Sequence, residues 1–314
     1  MLKRYPLRES RLYCLQSKKR LAGLLNMELP ALRELVSQAD DNYRVFTRLQ
    51  SNGKTRRIEE PKSELKRIHT RVLQLLSRIE PPPYLHSGTK KRSYVTNAAA
   101  HVGKGRTVKT DISKFYPSTT HRQVFIGLMR EFKCSGDVAE LIADLCTYQD
   151  HVPTGSPVSM QIAFYAHKQT FDQQHRRAEI EGNAFSVYVD DLTLSGQSVT
   201  LRSLCAVTKT FRSAGLRCHK TRSFKKNSPK LVTGAIVTDE GLRLPNRRHL
   251  KISQGIAALA AAATLTEGHD ISRKLLGQIN EAACVEIRSA RRRQGLKRLV
   301  DRLMEDKPST PQQP

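Results

Sequence analysis

Apolar and polar residues alternate through residues 185–194, which predicts two β-strands joined by a tight turn. The turn falls at Asp190 and Asp191, two adjacent carboxylates within an otherwise apolar segment, FSVYVDDLTLSG. Aspartate is a favoured turn residue, so a solvated turn would tolerate both. The alternative is a metal site, because adjacent carboxylates become favourable when divalent cations lie between them.

Helical spacing of apolar residues marks the two ends of the chain. Residues 1 to about 80 are basic and mostly helical in pattern, with the strongest periodicity in 63–79, and the chain is again helical and basic from about 246 onward. Between these ends the pattern mixes strands with helices. The predicted elements are a strand and turn in 106–118, helices in 121–132 and 137–148, a long helix after the 152–158 turn, the hairpin, a helix closed by Gly215, a basic loop, and a strand pair turning at 239–241.

The fold class that this pattern predicts is therefore α+β, with largely helical ends. The helix that follows the strand in 106–118 is expected to be capped near Ser118. Asp111 ends that strand and could face the hairpin turn as a third carboxylate. A strand-end aspartate is by itself commonly a cap or turn residue.

The net charge narrows the classes of molecule that this chain is expected to bind. The 314 residues carry a net charge of +25 and a pI near 10.1, which favours a polyanion such as nucleic acid over a merely adhesive or ribosome-like basic surface. The six cysteines form no C-x-x-C pair and no zinc-finger spacing, as expected of a reduced cytoplasmic protein. No segment has the length and apolar character of a membrane span, so no membrane partner is expected.

Seven segments occur in the order in which reverse transcriptases carry their motifs. They are RRIEEPKSELKRIH, NAAAH, TDISKFYPS, PTGSPVS, YVDD, GLRCHKT and VTG. Over about residues 43–250 the chain resembles the reverse transcriptases, and NAAAH and VTG are similar to segments of the bacterial retron type. The alternatives are a group II intron or diversity-generating reverse transcriptase, which these two segments argue against, and a non-enzymatic basic RNA-binding scaffold.

The resemblance implies a right-hand polymerase whose antiparallel palm sheet is flanked by helices. The implied divisions are a helical N-terminal segment with fingers (1–105), a palm interleaved with part of the fingers (106–240), a basic helical thumb (241–306) and a disordered tail (307–314). No integral RNase H, protease or endonuclease domain is expected after the thumb.

The resemblance also implies the catalytic groups. Asp111, Asp190 and Asp191 would be the catalytic, metal-binding triad, and the backbone carbonyl of Ile112 would help to hold one ion. The cofactor would be two Mg²⁺ ions, with Mn²⁺ as a substitute. A primer hydroxyl would attack the α-phosphate of a dNTP and release pyrophosphate.

The residues implied to bind the nucleotide come from four motifs. Arg56 would bind the triphosphate, although its basic neighbours could substitute. Tyr116 would be a steric gate against a 2′-OH, the alternative being a core aromatic. Lys220 would donate a proton to pyrophosphate or contact a phosphate from the surface.

Motif B contributes Thr154 and Gly155, and the glycine would let the backbone approach the nucleotide and template. This segment departs from the family, because Thr154 stands where many members have Gln and Met160 where they have Pro. The HSGTKKRS stretch is also looser than the corresponding family segment. The turn itself is expected to be kept, because Pro153, Gly155 and Pro157 remain.

RNA would be bound by two regions. Asn97 and His101, four residues apart, could share a helix face and contact RNA, or they could be a capping Asn and a packed His. The segment RSARRRQGLKRLV would lie along RNA or an RNA–DNA duplex as a thumb helix, the alternative being a solvated charged face. Its implied RNA-binding residues are Arg291, Arg292, Arg293, Lys297 and Arg298.

The partners are likewise implied by the resemblance alone. A cognate retron non-coding RNA would supply template and primer, and synthesis would start from the 2′-OH of a guanosine. The product would be branched, RNA-linked single-stranded DNA (msDNA), with the template trimmed by a host RNase H. A separate effector protein would be held in check by the enzyme–msDNA complex in anti-phage defence.

Overall fold

A computed structural model describes residues 4–50 and 53–305, so the tail predicted for 307–314 lies outside the described residues. The helices are α1 (Lys18–Leu25), α2 (Leu29–Ser37), α3 (Ser63–Leu76), α4 (Tyr94–Ala99), α5 (His121–Phe132), α6 (Gly136–Cys146), α7 (Ser159–Ile180), α8 (Leu201–Ser213), α9 (Asn246–Ala261), α10 (Leu265–Val285) and α11 (Ile287–Glu305). The strands are β1 (Tyr43–Leu49), β2 (Thr55–Pro61), β3 (Arg106–Ile112), β4 (Ala184–Tyr188), β5 (Asp191–Gly196), β6 (Cys218–Phe224), β7 (Lys230–Val232), β8 (Ala235–Val237) and β9 (Leu242–Arg243). The predicted α+β class is confirmed.

The described chain forms two compact units. The first unit contains residues up to Arg92 together with Val108–Ser223, and the second contains Ser93–Thr107 together with the chain from Phe224 onward. The predicted limits of fingers, palm and thumb follow other boundaries and stay predictions. None of the helices within 4–50 and 53–305 combines the length and apolar character that crossing a membrane requires.

A four-stranded sheet organises the first unit, with the strand order β4-β5-β3-β6. β4 and β5 pair antiparallel as the predicted hairpin, with Tyr188 opposite Asp191. The sheet and helices α1 to α3 and α5 to α8 share one hydrophobic core, in which Ile112, Phe171 and Phe211 are fully buried. The strand β3 therefore ends against packed side chains, which fixes the position of its last residues.

A second hairpin, β1–β2, corrects the prediction that residues 1–80 are mostly helical. Its two strands pair from Tyr43 opposite Pro61 to Leu49 opposite Thr55. Most of its residues are exposed, and Tyr43, Glu59 and Pro61 are the buried ones among those described. Because β1 and β2 bury so little, their hydrophobic pattern carries little period-two signal.

Three further predictions are corrected at element boundaries. α5 is capped by Thr120 rather than Ser118: the Thr120 Oγ1 accepts from the Gln123 N–H at 3.2 Å, and the Gln123 Oε1 accepts from the Thr120 N–H at 2.9 Å. The basic loop expected after Gly215 is the strand β6, because its backbone adds to the edge of the sheet. The expected strand pair is a three-stranded sheet, since β9 joins β7 and β8.

The second unit has two small cores of its own. Ala98 of α4 packs with Val232, Ala235 and Val237 of the three-stranded sheet. Leu259, Leu275, Ile279 and Val300 form the core of the three-helix assembly of α9, α10 and α11. Residues 93–107 therefore pack with a sheet more than a hundred residues later in the chain.

Candidate active site

The β4–β5 turn holds an unusual backbone. Val189 has a φ of 59°, in the left-handed region that β-branched residues rarely adopt. Its N–H donates to the Ser87 Oγ at 2.9 Å, which helps to hold the turn in this conformation. Such outliers persist where the surroundings over-determine them, and they concentrate at functional sites. Asp190 follows in the turn and Asp191 opens β5.

The three predicted carboxylates lie together where β3 ends and β5 begins. β3 neighbours β5, and the Ile112 N–H at the end of β3 donates to the Asp190 carbonyl at 2.8 Å. When Asp191 carries a proton, it hydrogen-bonds with Asp111, the residue before Ile112. The structure thus brings Asp111, from one predicted motif, against Asp190 and Asp191 from another.

The close packing of these carboxylates gives them different pKa values. Burial, then the hydrogen bond with Asp111, raises the pKa of Asp191 to about 7. Burial and the charge of Asp111 also raise the pKa of Asp190. Burial alone would raise the pKa of Asp111, but hydrogen bonds with Asp191 and Lys220 outweigh it and hold that pKa below its ordinary value.

Basic side chains of β3 and β6 lie beside the carboxylates. The Lys220 Nζ donates to the Asp111 Oδ2 at 2.6 Å, and this hydrogen bond raises the pKa of Lys220. The Lys109 Nζ lies 3.4 Å from the Asp191 Oδ1, and the His219 Nε2 lies 3.8 Å from the Asp111 Oδ2. Sequence reasoning missed Lys109 and His219. Strand alternation could have found Lys109, because it is two residues before Asp111 and shares its face.

The donor set fits a hard divalent cation. Carboxylate oxygens are the ligands that Mg²⁺ prefers. Asp111 and Asp191 lie close enough to share a proton, and burial raises the pKa values of Asp190 and Asp191. A cation bound between these strand ends would therefore relieve a repulsion already present. Asp111, Asp190, Asp191 and the Ile112 carbonyl are the groups available to hold it.

Tyr116 and Arg56 lie near these carboxylates. Burial, then the charge of Asp190, raises the pKa of Tyr116 to about 12, and the charge of Arg56 opposes the rise. Tyr116 is half-buried, and its ring packs 5.7 Å from that of Phe115, between centroids. Arg56 is exposed on β2. The predicted gate and the predicted triphosphate ligand therefore both interact electrostatically with Asp190.

The predicted motif B loop packs against β2. The Gly155 N–H donates to the Glu59 carbonyl at 3.2 Å, and the Thr154 Oγ1 donates to the Arg57 carbonyl at 2.8 Å. A Cβ on Gly155 would lie 2.7 Å from the Glu59 carbonyl oxygen, a distance that real Cβ atoms do not reach. The glycine thus permits close approach to a protein strand, a packing reason that sequence reasoning missed.

Two departures from the family pack together. Gly88, in the loose HSGTKKRS stretch, has a φ of 56°, and a Cβ there would lie 1.7 Å from the Met160 Cε. The Ser87 hydroxyl also donates weakly to the Met160 sulfur at 3.7 Å. Met160 therefore fills the space over Gly88, which gives its presence a structural reason.

Burial corrects the RNA contacts predicted for Asn97 and His101. Both side chains are fully buried, and only Asn97 lies within α4. The Asn97 Nδ2 donates to the Thr233 Oγ1 at 3.4 Å, and the Thr233 Oγ1 donates to the Tyr94 carbonyl at 2.9 Å. NAAAH and VTG thus join each other inside the second unit, and neither Asn97 nor His101 presents a surface to RNA.

The basic helix α11 has the exposure that its prediction requires. Its one buried residue is Val300, which packs with Leu275 and Ile279 of α10. The cations predicted to bind RNA are all exposed: Arg291, Arg292, Arg293, Lys297 and Arg298. Arg293 and Lys297 line a groove between α10 and α11 together with Asn280 and Gln294.

Comparison with known proteins gives the relatives of this chain. No protein-family model matches it. The retron Se72 reverse transcriptase of Salmonella heidelberg is 30% identical over 177 residues, which cover 56% of this chain and 47% of the relative. The retron Ec86 reverse transcriptase of Escherichia coli is 26% identical over 234 residues, 72% of either protein. The retron Mx65 reverse transcriptase of Myxococcus xanthus is 30% identical over 67% of this chain and 55% of the relative.

The predicted resemblance to retron reverse transcriptases is confirmed by these matches. The chain spans about half the length of the Se72 and Mx65 relatives. Among solved structures, a foamy viral protease-reverse transcriptase in complex with double-stranded DNA is similar at a TM-score of 0.46 and 15% identity, over 98% of this chain and 52% of that one. A complex of the foamy viral protease-reverse transcriptase with an RNA/DNA hybrid is similar at a TM-score of 0.47 and 14% identity, over 90% and 38%.

Proposed function

We propose that this chain is an RNA-directed DNA polymerase of the retron type, built as a right hand of fingers, palm and thumb. The single observation that carries the proposal is the meeting of Asp111, Asp190 and Asp191 at the adjoining ends of β3 and β5, where two of them have raised pKa values. The similarity to curated retron reverse transcriptases supports the same function.

In this proposal the primer hydroxyl attacks the α-phosphate of a dNTP, and pyrophosphate leaves. Asp111, Asp190, Asp191 and the Ile112 carbonyl would hold two Mg²⁺ ions or, as a substitute, Mn²⁺. When bound, such ions lower the pKa of the attacking hydroxyl and stabilise charge on the leaving group. The remaining contribution of the protein is positioning and charge stabilisation.

The nucleotide would be held from three sides. Arg56 would pair with the triphosphate through its planar, multidentate guanidinium. The half-buried Tyr116 ring would lie under the sugar and exclude a 2′-OH. Lys220, already hydrogen-bonded to Asp111, would exchange that carboxylate for the pyrophosphate and donate a proton to it.

RNA would be bound largely through charge. The net charge of +25 and the exposed cations of α11 fit a duplex that is recognised by its backbone and shape. We propose a cognate retron non-coding RNA as template and primer, msDNA as product, a host RNase H for trimming, and a separate effector in anti-phage defence, all in the cytoplasm.

Primer extension on an RNA template with Mg²⁺ and dNTPs tests the proposal. The wild-type chain should extend the primer, and an Asp190→Asn/Asp191→Asn double variant should lose the activity while still binding RNA. Equal, negligible incorporation by both proteins would refute the polymerase function. Sequencing of co-purifying nucleic acid would then identify the RNA.

A further inference from the structure

Glu59 is a buried acid on a hairpin whose residues are mostly exposed. Its side chain is 3% exposed, whereas its neighbour Glu60 is 28% exposed. A carboxylate removed from water is stable only where hydrogen bonds and opposite charge replace the lost hydration. The hydrogen-bond and ion-pair partners of Glu59 therefore show which parts of the chain the buried carboxylate connects.

Its partners come from two separate stretches of chain. On its own strand, the Arg57 Nε lies 3.1 Å from the Glu59 Oε1. From the loop that follows α6, the His151 Nε2 lies 3.0 Å from the Glu59 Oε2, and the Thr154 N–H donates to the same oxygen at 3.3 Å. The carboxylate thus joins β2 to the motif B loop, 92 residues later in the sequence.

Backbone contacts repeat the same connection. The Gly155 N–H bonds to the Glu59 carbonyl, and the Thr154 hydroxyl bonds to the Arg57 carbonyl. The loop is in turn held to the segment after Asp111, because the Val152 N–H donates to the Thr119 carbonyl at 3.0 Å. The joint therefore runs from β2 through the motif B loop to the helix entry beyond Tyr116.

This joint controls where Arg56 can lie. Arg56 is three residues before Glu59 and lies in the exposed first half of β2. Its charge already acts on Asp190 and Tyr116, so its distance from the carboxylates matters electrostatically. Loss of the Glu59 carboxylate would leave Tyr43 and Pro61 as the buried residues of the hairpin among those described, at the end of the hairpin away from Arg56, and would let that distance vary.

We propose that Glu59, together with His151, is a positioning residue that fixes the β1–β2 hairpin, and hence Arg56, for the triphosphate of the incoming dNTP. This inference rests on the proposed polymerase function. Glu59 itself would not contact the reacting atoms of the primer or the dNTP. The consequence is a selective effect on nucleotide binding, because small misplacements of a binding group are expensive at a reacting centre.

Steady-state primer extension with varied dNTP concentration tests the inference. Glu59→Ala should raise the KM for dNTP about tenfold or more, with kcat and RNA affinity changed far less. Glu59→Gln keeps the shape and one acceptor oxygen, so it should recover much of the loss and raise KM only roughly two- to threefold. The milder variant keeps the test decisive if the alanine variant folds poorly.

Glu60→Ala is the matched control. Glu60 is the next residue on the strand and pairs with Arg44 at 2.6 Å and Lys66 at 3.0 Å, yet it contacts neither His151 nor Thr154 in any bond described for it. Its KM should stay within about twofold of wild type, as expected of an exposed ion pair.

The results of these measurements distinguish a failure of the positioning role of Glu59 from a failure of the proposed polymerase function. An active wild type in which Glu59→Ala and Glu60→Ala share one dNTP KM would overturn the positioning role alone. A Glu59→Ala variant whose kcat, RNA affinity and melting temperature fall together, with no rescue by Gln, would also overturn it, since that is loss of fold. A wild type without primer extension would remove the proposed function and this inference with it.

Discussion

The Lys220 ammonium and the Asp111 carboxylate form a 2.6 Å hydrogen-bonded ion pair across neighbouring strands β6 and β3. Lys220 itself has a φ of 49°, so the backbone at this point of the strand is irregular. Because this pairing holds the pKa of Asp111 low, a proton taken up between Asp111 and Asp191 resides on Asp191. The three carboxylates are therefore unequal before any ligand arrives.

This inequality predicts a pH-dependent stability in the presence of EDTA. The pKa of Asp191 rises from 3.8 to about 7 on folding. A group with a raised pKa stabilises the fold fully below its unfolded value, and that stabilisation is lost as the pH rises through the folded value, here between about pH 4 and pH 7. Asp111, whose pKa is lowered, acts oppositely and loses its contribution as the pH falls below its ordinary value.

Asp191→Asn removes the titration while keeping the side-chain shape. Its melting temperature relative to wild type should therefore rise from pH 5 to about pH 7 in EDTA and level off by pH 8. As a control, excess Mg²⁺ should stabilise wild type more at pH 8 than at pH 5 and should act little on the variant. Parallel curves for the two proteins in EDTA would contradict the assignment.

Tyr116→Ala should relax sugar selection. Removing a half-buried ring opens space beside Asp190 and Arg56, so a ribonucleotide should be accepted more readily. We expect the preference for dGTP over GTP in kcat/KM to fall by about tenfold or more. Tyr116→Phe serves as the control because it keeps the ring, and it should keep the preference. Unchanged discrimination in the alanine variant would assign Tyr116 to the core instead.

Replacement of Arg291, Arg292 and Arg293 by Gln should flatten the salt dependence of RNA binding. Each lost phosphate contact lowers the magnitude of the slope of log K for RNA binding against log salt concentration by about 0.7 to 0.9. The slope of the triple variant should therefore be smaller in magnitude than that of wild type by roughly two. An Arg202→Gln/Lys209→Gln variant on α8 removes two exposed cations elsewhere and should leave the slope near wild type. An identical slope in the triple variant would make α11 a solvated face.

Gly155→Ala should destabilise the first unit. The added Cβ would meet the Glu59 carbonyl oxygen at 2.7 Å and the carbonyl carbon at 2.9 Å, and backbone atoms cannot move aside cheaply. We expect a loss of about 1–3 kcal/mol in the free energy of unfolding, measured by urea denaturation. Gly23→Ala in α1 meets no atom within 4 Å and should be neutral or stabilising by about 0.5–1 kcal/mol. Equal stabilities would show that the loop is free to shift.

The spacing of apolar residues predicted those helices and strands that bury one face against the core. The hairpin around Asp190 follows from period-two alternation, and α3 follows from helical spacing. The β1–β2 hairpin escaped because its exposed strands carry no buried stripe. The bond between Glu59 and His151 escaped because 92 residues separate them and neither lies in a recognisable spacing. Burial of Asn97 escaped because its partner, Thr233, arrives from a distant sheet.

The passage of residues 93–107 into the second unit constrains how such chains can be recombined. The backbone changes units at 92/93, 107/108 and 223/224, so a single cut cannot separate the two bodies. A chimera that exchanged only the segment from Phe224 onward would confront Ala98 with foreign counterparts of Val232 and Val237. Transfer of this unit to another protein therefore demands a paired graft, in which residues 93–107 travel together with the segment from Phe224 onward.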